Sequence, residues 1–486
     1  MSKTRYQNIC DNYFQNPGLL RLKKKSALRE DGHQLTAADV ERIVLFITNY
    51  ATNYAIALPG RHKSHKNFNQ RLLPLSDTKH KVYRLYTEAT ENENEILRED
   101  GKEEHRIVCL STFRKMWRTY LPDIKCCRPM TDLCATCHKN NYEVYRSNNF
   151  PECVKSAKLK KQEQHLELVK QERDFYNSLK EECKEKCVAE NIHLGPSTAA
   201  SKEGKQHFSF DFAQQLAYPN DPIQPGPVYF LAPRKCGLFG VHCEGLKKQV
   251  NYLIDEAHST SKGSNAVISY LHHFFQNFSP GEKEVDLHCD NCSGQNKNSF
   301  MLWYLCLRTL HKLHHRVGLH FLLVGHTKFS PDWGFGLIKK KYTNTRVDTL
   351  ADIARVVEES SPEAKVNIPL IVGREDGTVT VPTFNFQEHL KQFFRPLPHI
   401  KSYQHFEFSA SDPGVVVCKA HHKAPEVRFQ LLRKAYVYPR FDKMPLLQHP
   451  GLDAARQDYL FNRVREFVSE EVKDVTCPRP TKKIRL

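Results

Sequence analysis

The stretch that decides the fold is HCDNCSGQNKN, residues 288–298. Three readings fit these residues. Cys289 and Cys292 have the C-x-x-C spacing that lets two thiolates reach one tetrahedral zinc from a tight turn. Asp290 alternatively stands at the end of a buried strand, EVDLHC, where a carboxylate is aimed into an active site. The plainest reading is an Asn/Gly/Ser turn whose amides close the turn and cap the next helix. The flanking sequence separates these readings.

Working outward, HFSFDFAQQ alternates Phe208, Phe210 and Phe212, a strand pattern. VYFLAPRKCGLFGVHCEG reads as one or two further strands and KKQVNYLIDEAHS as another. GSNAVISYLHHFFQNF is an amphipathic helix, and EVDLHCDNCSGQN is a strand ending in the opening motif. KNSFMLWYLCLRTLHKL is an apolar helix, GLHFLLVGHT a strand, and SPDWGFGLIKKKY the start of a last helix. The order β-β-β-α-β-α-β-α is that of a ribonuclease H-like fold. Asp211 then ends the first strand, Asp290 ends the fourth, and Asp332 opens the helix after the fifth. Strand termini at one sheet edge bring such distant acids together. Phosphodiester cleavage wants carboxylates there, because two Mg²⁺ ions can activate the attacking oxygen and stabilise the leaving one. Mg²⁺ prefers hard oxygen ligands. On this reading Cys289 and Cys292 are strand and turn residues, and Asn291, Gln295 and Asn298 contact the DNA backbone or orient Asp290. His326 and Lys328, just before Asp332, are candidates for a phosphate or the leaving oxygen. Glu256 is a candidate accessory acid, with capping the plainer role.

FDFAQQ, LIDEAHSTSKGSNAVISYL, DNCSGQNKN and GHTKFSPDWGFG resemble a family of uncharacterised animal proteins derived from DDE-type transposases. IALPGR, LLPLSDTKHKVYRLY and TDLCATC resemble its N-terminal half, so the likeness runs from about residue 40 to 345. The resemblance implies a cut-and-paste transposase ancestor, with Asp211, Asp290 and Asp332 on the triad positions and Mg²⁺ or Mn²⁺ as cofactor. Many transposases have Glu as the third acid. Here Asp332 takes that place, with Glu358 and Glu359 as rivals.

The rest of the chain fits a DNA-binding protein. Lys and Arg total 72 against 55 Asp and Glu, a net charge of +17, which favours a polyanionic partner such as double-stranded DNA. Charged residues are 26% and apolar ones 40%, a globular balance that excludes a disordered chain. No apolar run is long enough for a membrane span, and the N-terminus lacks the apolar region of a secretory signal. Sixteen cysteines then read as reduced thiols, some on zinc, rather than a disulfide framework. The basic tail 1–35 reads as a nuclear-import signal, a DNA arm or a solvated tail, and the basic end PRPTKKIRL suits nuclear import.

Residues 36–125 read as a helical, helix-turn-helix-like region. Thr36 and Asp39 stand at capping-box spacing before an apolar helix. In LSTFRKMWRTYLP, Ser111 is the expected N-cap, and Phe113, Trp117 and Tyr120 the inner face. Arg114, Lys115 and Arg118 form an outer basic face suited to DNA. Residues 126–206 hold the C-x-x-C pair Cys134/Cys137, a long charged helix (or helical hairpin) with a seam of Leu166, Val169, Arg173 and Tyr176, and a linker. Further zinc donors for the pair are Cys126 or Cys127, His165, and Cys183/Cys187. Residues 207–345 are the ribonuclease H-like domain and 346–486 a small C-terminal α+β region. The expected protein is thus α+β and multidomain: a transposase-derived nuclear enzyme, or a domesticated DNA- or chromatin-binding protein without catalysis, with a homo-oligomer as a further expectation.

Overall fold

The computed structural model describes residues 35–57, 71–127, 133–147, 150–260, 262–374, 377–434 and 438–480. Most of the basic N-terminal tail, residues 58–70 and the last six residues lie outside them. The chain forms two compact units, residues 1–58 with 63–130, and 59–62 with 131–486.

Among the described residues, the first unit is built on three helices. Helix α1 (Ala37–Tyr54) starts at the expected capping box: Asp39 N–H donates to the Thr36 hydroxyl and Thr36 N–H to the Asp39 carboxylate. Its apolar stripe, Ile43, Ile47 and Ala51, packs with Val82 and Tyr86 of α2 (Lys79–Glu99) and with Phe113 and Trp117 of α3 (Leu110–Tyr120). Strands β1 (Ile56–Ala57), β2 (Arg71–Leu73) and β3 (Ile124–Cys126) form a small sheet. Two details of α3 differ from expectation. The N-cap is Cys109 rather than Ser111; its thiol lies 3.0 Å and 3.3 Å from the Ser111 and Thr112 hydroxyls. Tyr120 is exposed because it is the last helical residue, and Met116 completes the inner stripe one turn earlier. Arg114, Lys115 and Arg118 are exposed.

The second unit opens with α4 (Ala135–Arg146) and α5 (Glu152–Ala189), a single unbroken helix of 38 residues. Its central strands are β4 (Lys202–Phe212), β5 (Leu216–Tyr218), β6 (Arg234–Cys243), β7 (Lys248–Asp255), β8 (Glu282–Cys289) and β9 (Arg316–Phe321). Helices α6 (Ser264–Asn277), α7 (Ser299–Leu310) and α8 (Ser330–Tyr342) follow β7, β8 and β9. The strands lie in the order β7-β6-β4-β8-β9, antiparallel through the first three, with β8 parallel to β4 and β9 parallel to β8. This is the ribonuclease H-like arrangement that the sequence predicts. VYFLA does not extend β6: Gly226–Phe230 is a 3-10 turn, since Pro225 and Pro227 have no N–H for a strand ladder.

After residue 345 the chain adds α9 (Leu350–Glu359) and the strands β10 (Asn367–Ile371), β11 (His405–Ser409), β12 (Val415–Lys419) and β13 (Val427–Gln430). Rather than standing as a region of their own, these strands extend the same sheet. β10 pairs in parallel with β7, and β11, β12 and β13 continue outward from β9, making ten strands among the described residues.

One face of the sheet is apolar. Phe208 and Phe210 of β4, Val285, Leu287 and Cys289 of β8, and Val317, Leu319 and Phe321 of β9 form the main core with Leu271 and Phe274 of α6 and Met301 and Leu305 of α7. The opposite face is polar and just as buried. At one level across seven strands stand Asn367, Gln249, His242, Ser209, His288, His320 and His405, each opposite the next. Helices α5 and α8 meet this face: Glu172 of α5 bonds His405 (2.7 Å), and the Gly334 carbonyl of α8 accepts from Asn367 (3.2 Å).

Candidate acid site and Cys/His centre

The polar row leads to the acids. On parallel β4 and β8, Ser209 stands opposite His288. Two residues further along each chain come Asp211 and Asp290, with the same alternation, so they leave neighbouring strands side by side. Asp332 is the third residue of α8, and its Oδ2 accepts the Phe329 N–H at 3.1 Å. All three are half-buried. Burial, followed by the charges of Asp290 and Asp332, pushes the Asp211 carboxyl up to about 8. Three carboxylates therefore share one electrostatic environment at one edge of the sheet. Glu358 and Glu359, the rival third acids, are exposed, and Glu359 pairs with Lys341 at 2.9 Å. The charges that raise Asp211 are those of Asp290 and Asp332. Glu256 is committed to Arg456 at 2.8 Å.

Each acid is held by one oxygen. Asp211 Oδ1 accepts the Phe212 N–H (2.7 Å), and Asp332 uses Oδ2 as above. Asp290 Oδ1 accepts both the Cys292 N–H (3.0 Å) and the Asn296 amide (2.6 Å). The second oxygen of each carboxylate takes none of these bonds.

The opening motif is therefore a strand end followed by a turn. Cys289 lies in the apolar core, and the Asn296 and Lys297 N–H groups close the turn on the Cys292 carbonyl. Cys289 and Cys292 join no metal-binding group among the described residues. Asn298 caps α7, accepting from Met301 N–H and donating to the Ser293 carbonyl, so its amide is engaged within the protein. Gln295 is half-buried in the turn. Asn291 donates to the Leu322 carbonyl and accepts from Lys297 Nζ at 3.0 Å. Lys297 was not singled out from the sequence. It is buried, bonds Gln404 at 3.0 Å, and lies 4.9 Å over the Phe321 ring. Burial lowers its ammonium to about 8. Its signal was the only charged side chain between Asp290 and the apolar helix.

A second constellation comes together at the loop before α8. Cys134, Cys137, His165 and His326 place four ligand atoms within 4.8 Å of one another, the one such group among the described residues. Cys134 Sγ lies 3.4 Å from His165 Nε2, and Cys137 Sγ lies 3.4 Å from His326 Nε2. With Zn–S near 2.3 Å and Zn–N near 2.0–2.1 Å, tetrahedral coordination gives a sulfur–nitrogen edge of about 3.6 Å. The donor set and spacing are compatible with a structural zinc. Three of these residues were expected from the sequence. His326 was not: assigned there to a phosphate, it is buried and faces Cys137. The other donors considered lie elsewhere. Cys126 ends β3 in the first unit, with Cys127 next to it, while Cys183 and Cys187 both contact the Gln206 side-chain oxygen at 3.4 Å. Lys328 is exposed, with its carbonyl bonded to Arg173.

Fold and site together define an α+β protein with a ribonuclease H-like sheet, an acid cluster at one edge and a Cys₂His₂ centre beside it. Residues 232–425 match the family described as a domain of unknown function (DUF7869). That span runs from the approach to β6 to beyond β12 and contains Asp290, Asp332 and His326. No curated protein and no solved structure matches the chain. No helix among the described residues is long and apolar enough to cross a membrane.

Proposed function

We propose that the chain is a transposase-derived nuclear protein that binds double-stranded DNA and cleaves and transfers its strands with Mg²⁺ or Mn²⁺ held by Asp211, Asp290 and Asp332. The observation that carries this reading is the placement of Asp211 and Asp290 just beyond the paired residues Ser209 and His288 of parallel neighbouring strands, where burial and the charges of Asp290 and Asp332 push the Asp211 carboxyl up to about 8. Buried like charges are unfavourable for folding, and concentrating them at one edge is what a divalent-cation site requires. The donor set fits: three hard carboxylates, each with one oxygen fixed by hydrogen bonds and the other left for a ligand. When bound, such cations activate the attacking oxygen and offset charge on the leaving oxygen.

The chain's own residues hold this arrangement. Backbone N–H groups of Phe212, Cys292 and Phe329 and the Asn296 amide fix the carboxylates. Lys297, through Asn291, ties the turn after Asp290 to the end of β9. Lys328 is exposed on the loop before Asp332, in reach of a phosphate backbone. In the first unit, Arg114, Lys115 and Arg118 present a basic helix face to DNA, and the net charge of +17 favours the same partner.

The test uses the full chain and labelled duplex DNA taken from repeats flanking the gene. Asp290→Asn is expected to lower Mg²⁺-dependent nicking at least about a hundredfold while leaving DNA affinity in EDTA within about twofold. Wild-type protein that binds this DNA yet never cuts it with either cation would establish the non-catalytic DNA-binding reading instead. Mutants that cut as well as wild type would remove the acids from the chemistry.

A further inference from the structure

The segment that delivers Asp332 is gripped by one face of α5 at His326, Lys328 and Ser330. Arg173 donates to the carbonyls of His326 (2.6 Å) and Lys328 (2.8 Å). Ser330 N–H donates to the Tyr176 hydroxyl (3.3 Å), and Lys180 donates to the Ser330 hydroxyl (3.1 Å). The Ser330 hydroxyl and Tyr176 both donate to Glu244, a fully buried carboxylate (2.6 Å each). His165 lies on the same helix, two turns before Arg173. The Cys/His centre therefore joins three pieces of chain: the start of α4, the helix α5 and the acid-bearing loop. The approach is close. Gly325 has φ +80°, and a Cβ built there would stand 2.4 Å from the Cys134 Cα, so backbone meets backbone. Between this centre and Asp332 lie only five residues, of which Lys328, Phe329 and Ser330 are held by hydrogen bonds.

We infer that a zinc ion bound by Cys134, Cys137, His165 and His326 acts as a clamp that fixes this loop and the first turn of α8, and so sets where the Asp332 carboxylate stands. Zinc suits this role because it closes a tetrahedral Cys₂His₂ shell with no open position and no redox chemistry of its own. Metal binding supplies rigidity to a segment that has no strand or helix until Ser330. His326 is then a ligand and Asp332 a group positioned through it. The functional consequence rests on the acid-site reading above; the clamp itself does not.

The test separates the two. Zinc per chain is measured by atomic emission, and amide hydrogen exchange is followed in peptides covering 322–334 and, as a control, β8. Wild type is expected to hold about one zinc per chain. His326→Ala and Cys134→Ser are expected to lose it, with exchange in 322–334 rising at least about tenfold and β8 unchanged. His326→Cys keeps four ligands and is expected to restore both zinc and protection, which excludes simple misfolding. Zinc retained by both variants, or zinc lost with loop protection unchanged, would overturn the clamp. Mn²⁺ binding, read by electron paramagnetic resonance, reports the acids independently. His326→Ala is expected to weaken it at least about tenfold, and Asp290→Asn to abolish it while leaving zinc and exchange as in wild type. Wild type that binds no Mn²⁺ but passes the zinc and exchange tests would remove the acid-site reading and leave the clamp standing. Unchanged Mn²⁺ affinity in a zinc-free, loop-exposed His326→Ala would disprove the coupling to Asp332.

Discussion

On β8, Val285, Leu287 and Cys289 turn to one face of the sheet, Asp286 and His288 turn to the other, and all five are buried. The apolar face works by area: its side chains stabilise by leaving water and by packing with α6 and α7. The polar face works by pairing. Asp286 meets His320 at 3.0 Å, Arg316 at 3.1 Å and Lys205 at 2.9 Å; His207 meets His288 at 2.9 Å. Each buried polar group is tolerable only with its partner in place. Apolar contacts permit small slips, whereas charge pairs and directed hydrogen bonds do not. The acid site sits at the end of the specified face, one step beyond the histidine row.

The largest effect expected is from Asp286→Ala. Burial works against this carboxylate, yet His320, Arg316 and Lys205 hold it well below the usual range, so removing it strands those partners. A loss of about 3–5 kcal/mol in urea unfolding is expected at pH 7. The neighbouring Leu287→Ala is expected to cost about 3 kcal/mol, with no pH dependence. An Asp286→Ala cost under about 1 kcal/mol would mean that the polar face is not held by pairing.

Next in size is the acid limb of stability. Burial lowers the His320 imidazole to about 4, below its unfolded value near 6.5. Between these values the unfolded chain binds the proton and the folded one does not, so stability falls as pH drops from about 6.5 to 4. His320→Gln is expected to flatten that limb by up to one proton, or roughly 3 kcal/mol across the window. An identical slope in the variant would show that His320 is charged in the fold.

Asp211 has the opposite sign. Its folded value of about 8 lies above the unfolded carboxylate, so its contribution is complete at low pH and is lost as pH rises towards 8. Asp211→Asn is therefore expected to stabilise the protein in EDTA at pH 8 by roughly 2 kcal/mol, a fraction of the full linkage for a half-buried group. Added Mg²⁺ should raise the melting temperature of wild type and not of the variant. A variant less stable than wild type at pH 8 would dissolve the acid cluster.

The smallest effect concerns the first unit. Losing Arg114 and Arg118 together is expected to weaken DNA binding and reduce its salt dependence by up to about two units of log-log slope. Unchanged affinity and slope would make α3 an ordinary solvated face.

How much of this was legible follows from the same two faces. The alternation of Phe208, Phe210 and Phe212 marks a strand and its apolar side, and strand ends put Asp211 and Asp290 together from sequence alone. The capping box at Thr36 needs only four residues and was also readable. What covers the polar side was not. Nothing in HFSFDF says that α5, well upstream, supplies Glu172 and Tyr176 to it, because that pairing is tertiary. His326 escaped for the same reason: it faces Cys137 across 189 residues, with no local spacing to signal it. The strands after residue 345 looked separate because edge strands are short and their partners distant in sequence. Tyr120 failed on a boundary, where periodicity outlasts the helix.

The unbroken α5 carries a constraint on chain length. From one rigid rod His165 reaches the Cys/His centre, Glu172 reaches His405, and Arg173, Tyr176 and Lys180 reach the segment from His326 to Ser330. Adding or deleting one residue between His165 and Glu172 would turn everything beyond it by about 100° and shift it by about 1.5 Å. The metal ligand and the sheet contacts could not then both be kept. Exposed positions of this helix are free to vary in residue type, but its count of residues between those two points is fixed.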